Sequence, residues 1–196
     1  MMKELTIFSV LFFSQLAAHS LNSLSNNDTL PWISQFKNFR TIVYHRDTAS
    51  VKKYFKFPLL IPNNEIWFLI LTEQEVSQKN IYTDKIVPFT EYDLSKYFNK
   101  IFPTAFIKSI LKIKTDVLLK KGYFETIEQL SDNGIRYKIY ATYAIKSKLL
   151  TLNLAYTQTI KDESSGELEK IESNVIYYFI IQKNGRLVFK EIRLAG

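Results

Sequence analysis

The chain contains no cysteine among its 196 residues, which excludes disulfides, thiolate zinc sites, iron–sulfur clusters and cysteine nucleophiles together. Glycine and proline number only five each, too few for collagen-like or low-complexity segments. No repeat with a period of about 20–50 residues is present, so solenoids and propellers are excluded. Histidine is limited to His19 and His45. The sequence also lacks a Gly-x-Ser-x-Gly elbow, a Gly-rich phosphate loop and an Asp-rich calcium loop. It therefore implies no metal and no cofactor. What is present, 46% hydrophobic and 15% aromatic residues, is the balance of one globular domain, and such a chain buries roughly 70% of its unfolded surface.

Lys3 precedes an almost wholly apolar run, Leu5–Leu16 (LTIFSVLFFSQL), and Ala18 and Ser20 supply small residues at the −3 and −1 positions of a cut after Ser20. This pattern predicts a secretory signal over residues 1–20, a polar lead-in over 21–30 and a single domain over 31–196. The run is well short of the ~20 residues that a membrane helix needs, so no transmembrane segment is expected in the mature chain. The predicted location is the periplasm or the exterior. Lys3 and Glu4 cancel, so the formal charge stays +7 after cleavage, and His45 becomes the one remaining histidine.

From Pro31, the apolar positions Trp32, Ile33, Phe36, Phe39, Ile42 and Val43 recur at helical spacing. Arg46-Asp47 breaks this helix, and Thr48 is suited to cap a short second one carrying Val51, Tyr54 and Phe55. Glu65–Leu71 (EIWFLIL) fits a buried strand or a helical turn equally well. Glu73–Phe89, polar with scattered apolar residues, reads as loop. Thr90 and Asp93 have capping-box spacing before Leu94, Tyr97, Phe98 and Ile101. Pro103 opens a further helix with Phe106, Ile107 and Ile110, and Thr115 or Asp116 can cap a brief one that stops at Gly122.

After Tyr123 the apolar period shortens from 3.6 to 2. Tyr123–Leu130, Ile135–Ile145, Leu150–Ile160, Asn174–Gln182 and Arg186–Leu194 read as strands, with turns at Asp132-Asn133-Gly134 and Asn184-Gly185 and a charged hairpin tip at Lys161–Lys170. Helices first and paired strands last predict an α+β class, with N-terminal helices packed on a curved, mostly antiparallel sheet of four to six strands.

This order of elements, with the Arg46-Asp47 break, Val51 and Phe55 in the second helix and the last hairpin at Asn184-Gly185, resembles the nuclear-transport-factor-like, or ketosteroid-isomerase-like, cone superfamily. Tyr54-Phe55-Lys56-Phe57-Pro58-Leu59, Phe89-Thr90 and Tyr97-Phe98 also resemble secreted cone-fold proteins from Bacteroidetes. The resemblance implies a helix-capped curved sheet, and it carries no catalytic motif across.

Tyr137, Tyr143, Tyr156, Gln158 and Tyr178 are the ligand-binding candidates, since hydroxyls and an amide on an otherwise aliphatic inner face would suit a small-molecule pocket. His45 and Asp47 stand at the helix break, where dipole compensation and capping account for them. Glu65 and Glu125 lie beside Trp67 and Phe124, where burial could raise a carboxyl pKa. Lys96, Lys100, Lys108, Lys112, Lys114, Lys120 and Lys121 make the central helices basic. The predicted export argues against nucleic acid and leaves anionic lipid or an envelope polymer. The sequence thus points to a secreted or periplasmic, non-enzymatic binding domain for a small apolar molecule or a protein partner, including an immunity-like role. Sheet-face dimerisation, which the resemblance implies, would use Thr142, Thr151, Asn153 and Thr157. The alternative is an isomerase or dehydratase with a buried carboxylate or His45 as general base.

Overall fold

A computed structural model describes residues 31–82, 85–161 and 167–196. The predicted signal, the lead-in and the centre of the charged hairpin tip lie outside the described residues. Helix α1 runs Pro31–Tyr44 and buries its whole predicted stripe, from Trp32 to Val43. Arg46, at a φ of 54°, turns the chain. Helix α2, Thr48–Val51, is capped by Asp47, whose carboxylate accepts the Ser50 amide at 2.9 Å. The cap thus falls on Asp47 rather than Thr48, and bonding to Ser50 lowers the Asp47 pKa. A 3-10 turn at Lys52–Tyr54 prolongs α2, so Val51, Tyr54 and Phe55 are all buried.

The ambiguous EIWFLIL segment is helical: α3 spans Glu65–Ile70 and buries Ile66, Trp67 and Ile70. Helix α4, Glu73–Gln78, replaces the expected loop. Its single buried residue, Val76, leaves no apolar period to read, and the helix is set instead by a reciprocal capping box between Thr72 and Glu75. Helix α5, Glu91–Ile101, opens on the predicted Thr90–Asp93 box, and α6 spans Thr104–Leu111. Helix α7, Thr115–Lys121, starts after Lys114 without a side-chain cap, so neither Thr115 nor Asp116 caps it. It ends at Gly122, whose φ of 70° lets its amide return to Leu118 O at 2.8 Å.

The strands are β1 (Tyr123–Glu125), β2 (Gln129–Leu130), β3 (Arg136–Ala144), β4 (Leu149–Lys161), β5 (Leu168–Ile181) and β6 (Leu187–Ala195). Their order is β1-β3-β4-β5-β6, with β2 also on β3, and every pairing is antiparallel. The β4–β5 ladder continues to Lys161↔Leu168, so the strands take up both ends of the stretch expected as a hairpin tip. A bulge at Tyr178/Phe179 bends the β5–β6 pair.

Among the described residues, seven α-helices thus precede a six-stranded sheet, the α+β arrangement expected. Ile139, Ala141, Leu152, Leu154, Tyr177 and Phe179 from the sheet join the helix stripes in one core. Phe39 meets Phe179 at 5.1 Å and Phe106 meets Tyr177 at 4.2 Å between ring centroids. Residues of the other parity on β3–β5, such as Tyr140, Asn153 and Ile176, are half-buried and absent from that core. The helices therefore pack on one face of the sheet.

Candidate functional site

The inner sheet face was the expected place for a pocket, and its register can be read directly. Tyr137 opposes Tyr156, Tyr143 opposes Leu150, and Leu152 opposes Tyr177. These positions are filled by packing. Tyr137 is buried, Tyr143 lies 4.5 Å from the Trp32 ring, and Tyr177 donates its hydroxyl to Ile101 O at 2.7 Å beneath Phe106. Burial pushes the Tyr156 phenol up to about 12 and the Tyr177 phenol well above its ordinary value, so both are neutral acids at ordinary pH.

The remaining two pocket candidates lie elsewhere. Gln158 is exposed on the part of β4 that outruns β3. Tyr178 pairs with Thr151 and Glu191 and so occupies the outer face, not the inner one. The reason is physical: Asn174–Gln182 is apolar on both faces, and such a strand offers no alternation to phase it. Of the five candidates, Tyr137 and Tyr156 meet across the β3–β4 pair, and Tyr143, Gln158 and Tyr178 do not join them.

The candidate acids and bases are also dispersed. His45 is exposed beside Tyr44, and Asp47 is occupied as a cap. Glu65 accepts the Leu194 amide at 2.6 Å on the open edge of β6, where it blocks further strand pairing. Glu125 accepts the Tyr123 hydroxyl at 2.7 Å and holds that phenol up to about 12. The buried carboxylate Glu191 is on the outer face, 3.3 Å from both Lys190 and Arg193. Among the described residues, tyrosine, phenylalanine and aliphatic side chains line the inner face beneath the helices. No group of His, Asp and Glu able to hold a metal occurs among the described residues.

The outer face has a different character. Its central rows are Tyr140–Asn153–Ile176–Arg193 and Thr142–Thr151–Tyr178–Glu191. Arg193 lies over the Tyr178 ring and Lys138 over the Tyr140 ring. Asn153 carries a buried Oδ1 with no hydrogen-bond partner among the described residues, an acceptor whose desolvation is uncompensated there. Beside it, the small Ala155 leaves a depression of about 190 Å³ whose wall includes Lys138, Tyr140, Glu172 and Asn174 together with two of the pocket candidates, Tyr137 and Tyr156.

Charge on this face is locally balanced. Lys138 lies 3.9 Å from Glu125, Arg136 lies 3.7 Å from Glu128, and Glu172 pairs with Lys170 at 2.5 Å. Exposed pairs of this kind add little stability. With Glu191 between Lys190 and Arg193, the pairs of this face set five cations against four carboxylates, a local charge near +1 on a chain of charge +7.

No family model, curated protein or solved structure matches the chain. The outward positions Thr142, Thr151, Asn153 and Thr157 do share one face, as β3 and β4 alternation implies. Tyr140, Ala155 and Ile176 were not singled out as part of it. The same alternation places Tyr140 and Ala155 there, whereas Ile176 needed the β5 register.

Proposed function

We propose that this chain is a non-catalytic, exported interaction domain of the cone type that works through the outer face of its sheet, with a second copy of itself as the occupant. The observation that supports this reading is the charge balance of a face left uncovered by helices. A copy of a +7 chain is repelled by most of its own surface, and only a patch of nearly balanced charge can meet itself with little of that cost. Tyr140, Tyr178 and Ile176 offer apolar contact there, and Asn153 offers an acceptor awaiting a donor.

At about 3.4 Å per residue and 4.8 Å between strands, the β3–β6 face measures roughly 27 by 19 Å. That is a flat footprint of on the order of 500 Å² per copy, which places the dimer at the lower end of specific interfaces. Export rests on the Leu5–Leu16 run and the Ser20 cut.

Sedimentation equilibrium over a concentration series tests the interface. The native chain is expected to dimerise, and Ala155→Arg, which fills the depression and adds unbalanced charge, to remain monomeric. A native chain that stays monomeric throughout, or a dimer that Ala155→Arg leaves unchanged, refutes the reading. Native mass spectrometry of protein from the cell envelope tests the export, with a mass beginning at Leu21 expected and a chain retaining Met1 ruling it out.

A further inference from the structure

The charge balance of the outer face has a counterpart on the helical side. Between Lys108 and Lys121 the chain carries five lysines and a single acid, Asp116. Lys108, Leu111 and Lys112 fall at i, i+3 and i+4 and share one exposed stripe, opposite the buried Ile107 and Ile110. Lys114 is exposed just beyond it. None of these three lysines is in an ion pair among the described residues, whereas the cations of the outer face are paired.

Two contacts hold this region firmly. Arg40 donates to Ile110 O at 3.2 Å and Ile113 O at 2.8 Å, tying the end of α6 to α1. Gln129 donates to Ser109 Oγ at 3.1 Å and accepts from Lys112 Nζ at 2.7 Å, tying α6 to β2. The second contact brings the β1–β2 edge beside the lysine stripe. That edge exposes two large aliphatic side chains, Ile127 at 77% and Leu130 at 66%, and Leu111 on the helix is 43% exposed.

We propose that the α6 end and the β1–β2 edge together form a docking surface for an anionic lipid bilayer. Uncompensated lysines meet the negative headgroups, and the projecting aliphatic groups enter the apolar boundary beneath. A soluble polyanion would engage the lysines but gives no role to Ile127 and Leu130. This inference goes beyond the dimer reading and shares with its face only the border residue Leu130, which stands opposite Arg136.

The test is flotation of the full chain with vesicles of phosphatidylcholine alone or mixed with phosphatidylglycerol. Every variant keeps the Leu5–Leu16 run, so differences between variants report on the docking surface. Binding is expected only to the anionic vesicles and is expected to weaken as salt rises. Replacing Lys108, Lys112 and Lys114 together by Gln should reduce it roughly a hundredfold. Replacing the same three by Arg should retain it. Ile127→Ser with Leu130→Ser should reduce it about tenfold or more. These positions are exposed, so unchanged thermal melting is expected and confirms folding.

Equal binding to neutral vesicles, or no binding to anionic ones, overturns the proposal. So does a Gln triple variant that still binds, since attachment then lies elsewhere. A Ser double variant that binds like the native chain while polyphosphate competes fully overturns it in favour of a soluble polyanion.

Discussion

Tyr177→Phe removes one oxygen from the centre of the molecule, and its cost can be worked out from the surroundings. Tyr177 is fully buried, between Phe106 and Phe102, and its hydroxyl reaches Ile101 O at 2.7 Å. Ile101 is the last residue of α5, where carbonyls lack intrahelical partners. Losing the donor therefore leaves a buried carbonyl unsatisfied, a cost of about 1–3 kcal/mol at neutral pH.

The pH dependence adds a sign. Burial raises the Tyr177 pKa well above its ordinary value of about 10. The unfolded chain ionises this phenol first, so the stability associated with it is complete below about pH 10 and is lost as pH rises toward the folded value, at ~1.4 kcal/mol per pH unit. The Phe variant has no such loss, and the remaining tyrosines contribute equally to both proteins. Urea unfolding from pH 7 to pH 11.5 should therefore show a gap that is constant up to about pH 10 and then closes within roughly one to two pH units. A gap below about 0.5 kcal/mol at pH 7, or one that stays constant to pH 11.5, would refute the account of this hydroxyl.

Three further outcomes are expected. Asp47→Ala should lower the urea midpoint at neutral pH. Because the folded-state pKa of Asp47 is depressed, that difference should vanish as pH falls through the carboxylate range and the native cap is protonated. Gly185→Ala should cost about 1–3 kcal/mol in the same assay, because φ is +77° and the new Cβ would fall 2.4 Å from Pro31 Cβ. Phe106→Ala should cost about 3–5 kcal/mol by removing a fully buried ring that packs on Tyr177 and Phe102.

Much of this architecture could be read from periodicity. The α1 stripe and the alternation of β3 and β4 depend only on which positions are apolar, and burial follows them. Reading failed where the pattern carried no phase. Helix α4 has one buried apolar residue, and only the Thr72–Glu75 pair marked it. Alternation gives Tyr178 no face, because its strand is apolar on both sides, and only the register puts it outside. The caps moved by one residue, to Asp47 and Lys114, within the usual spread of helix ends.

The surfaces were less legible than the fold, for a different reason. The charge balance of the outer face depends on Glu125 meeting Lys138 and Glu128 meeting Arg136, and the place of the lysine stripe beside β2 depends on Gln129 bridging to α6. These are relations between segments far apart in the chain or brought together by register, and composition does not contain them.

The packing of α1 against the C-terminal strands also sets an order of events during synthesis. Phe39 needs Phe179, and Gly185 closes on Pro31. At about 5–20 residues per second, the first helix waits about 7–30 s for the ~140 residues that separate it from its partners. Throughout that interval the stripe from Trp32 to Val43 has no sheet to cover it. Until the last hairpin is made that stripe is exposed apolar surface, and a truncation inside β6 would leave every helix intact in sequence yet without a completed core.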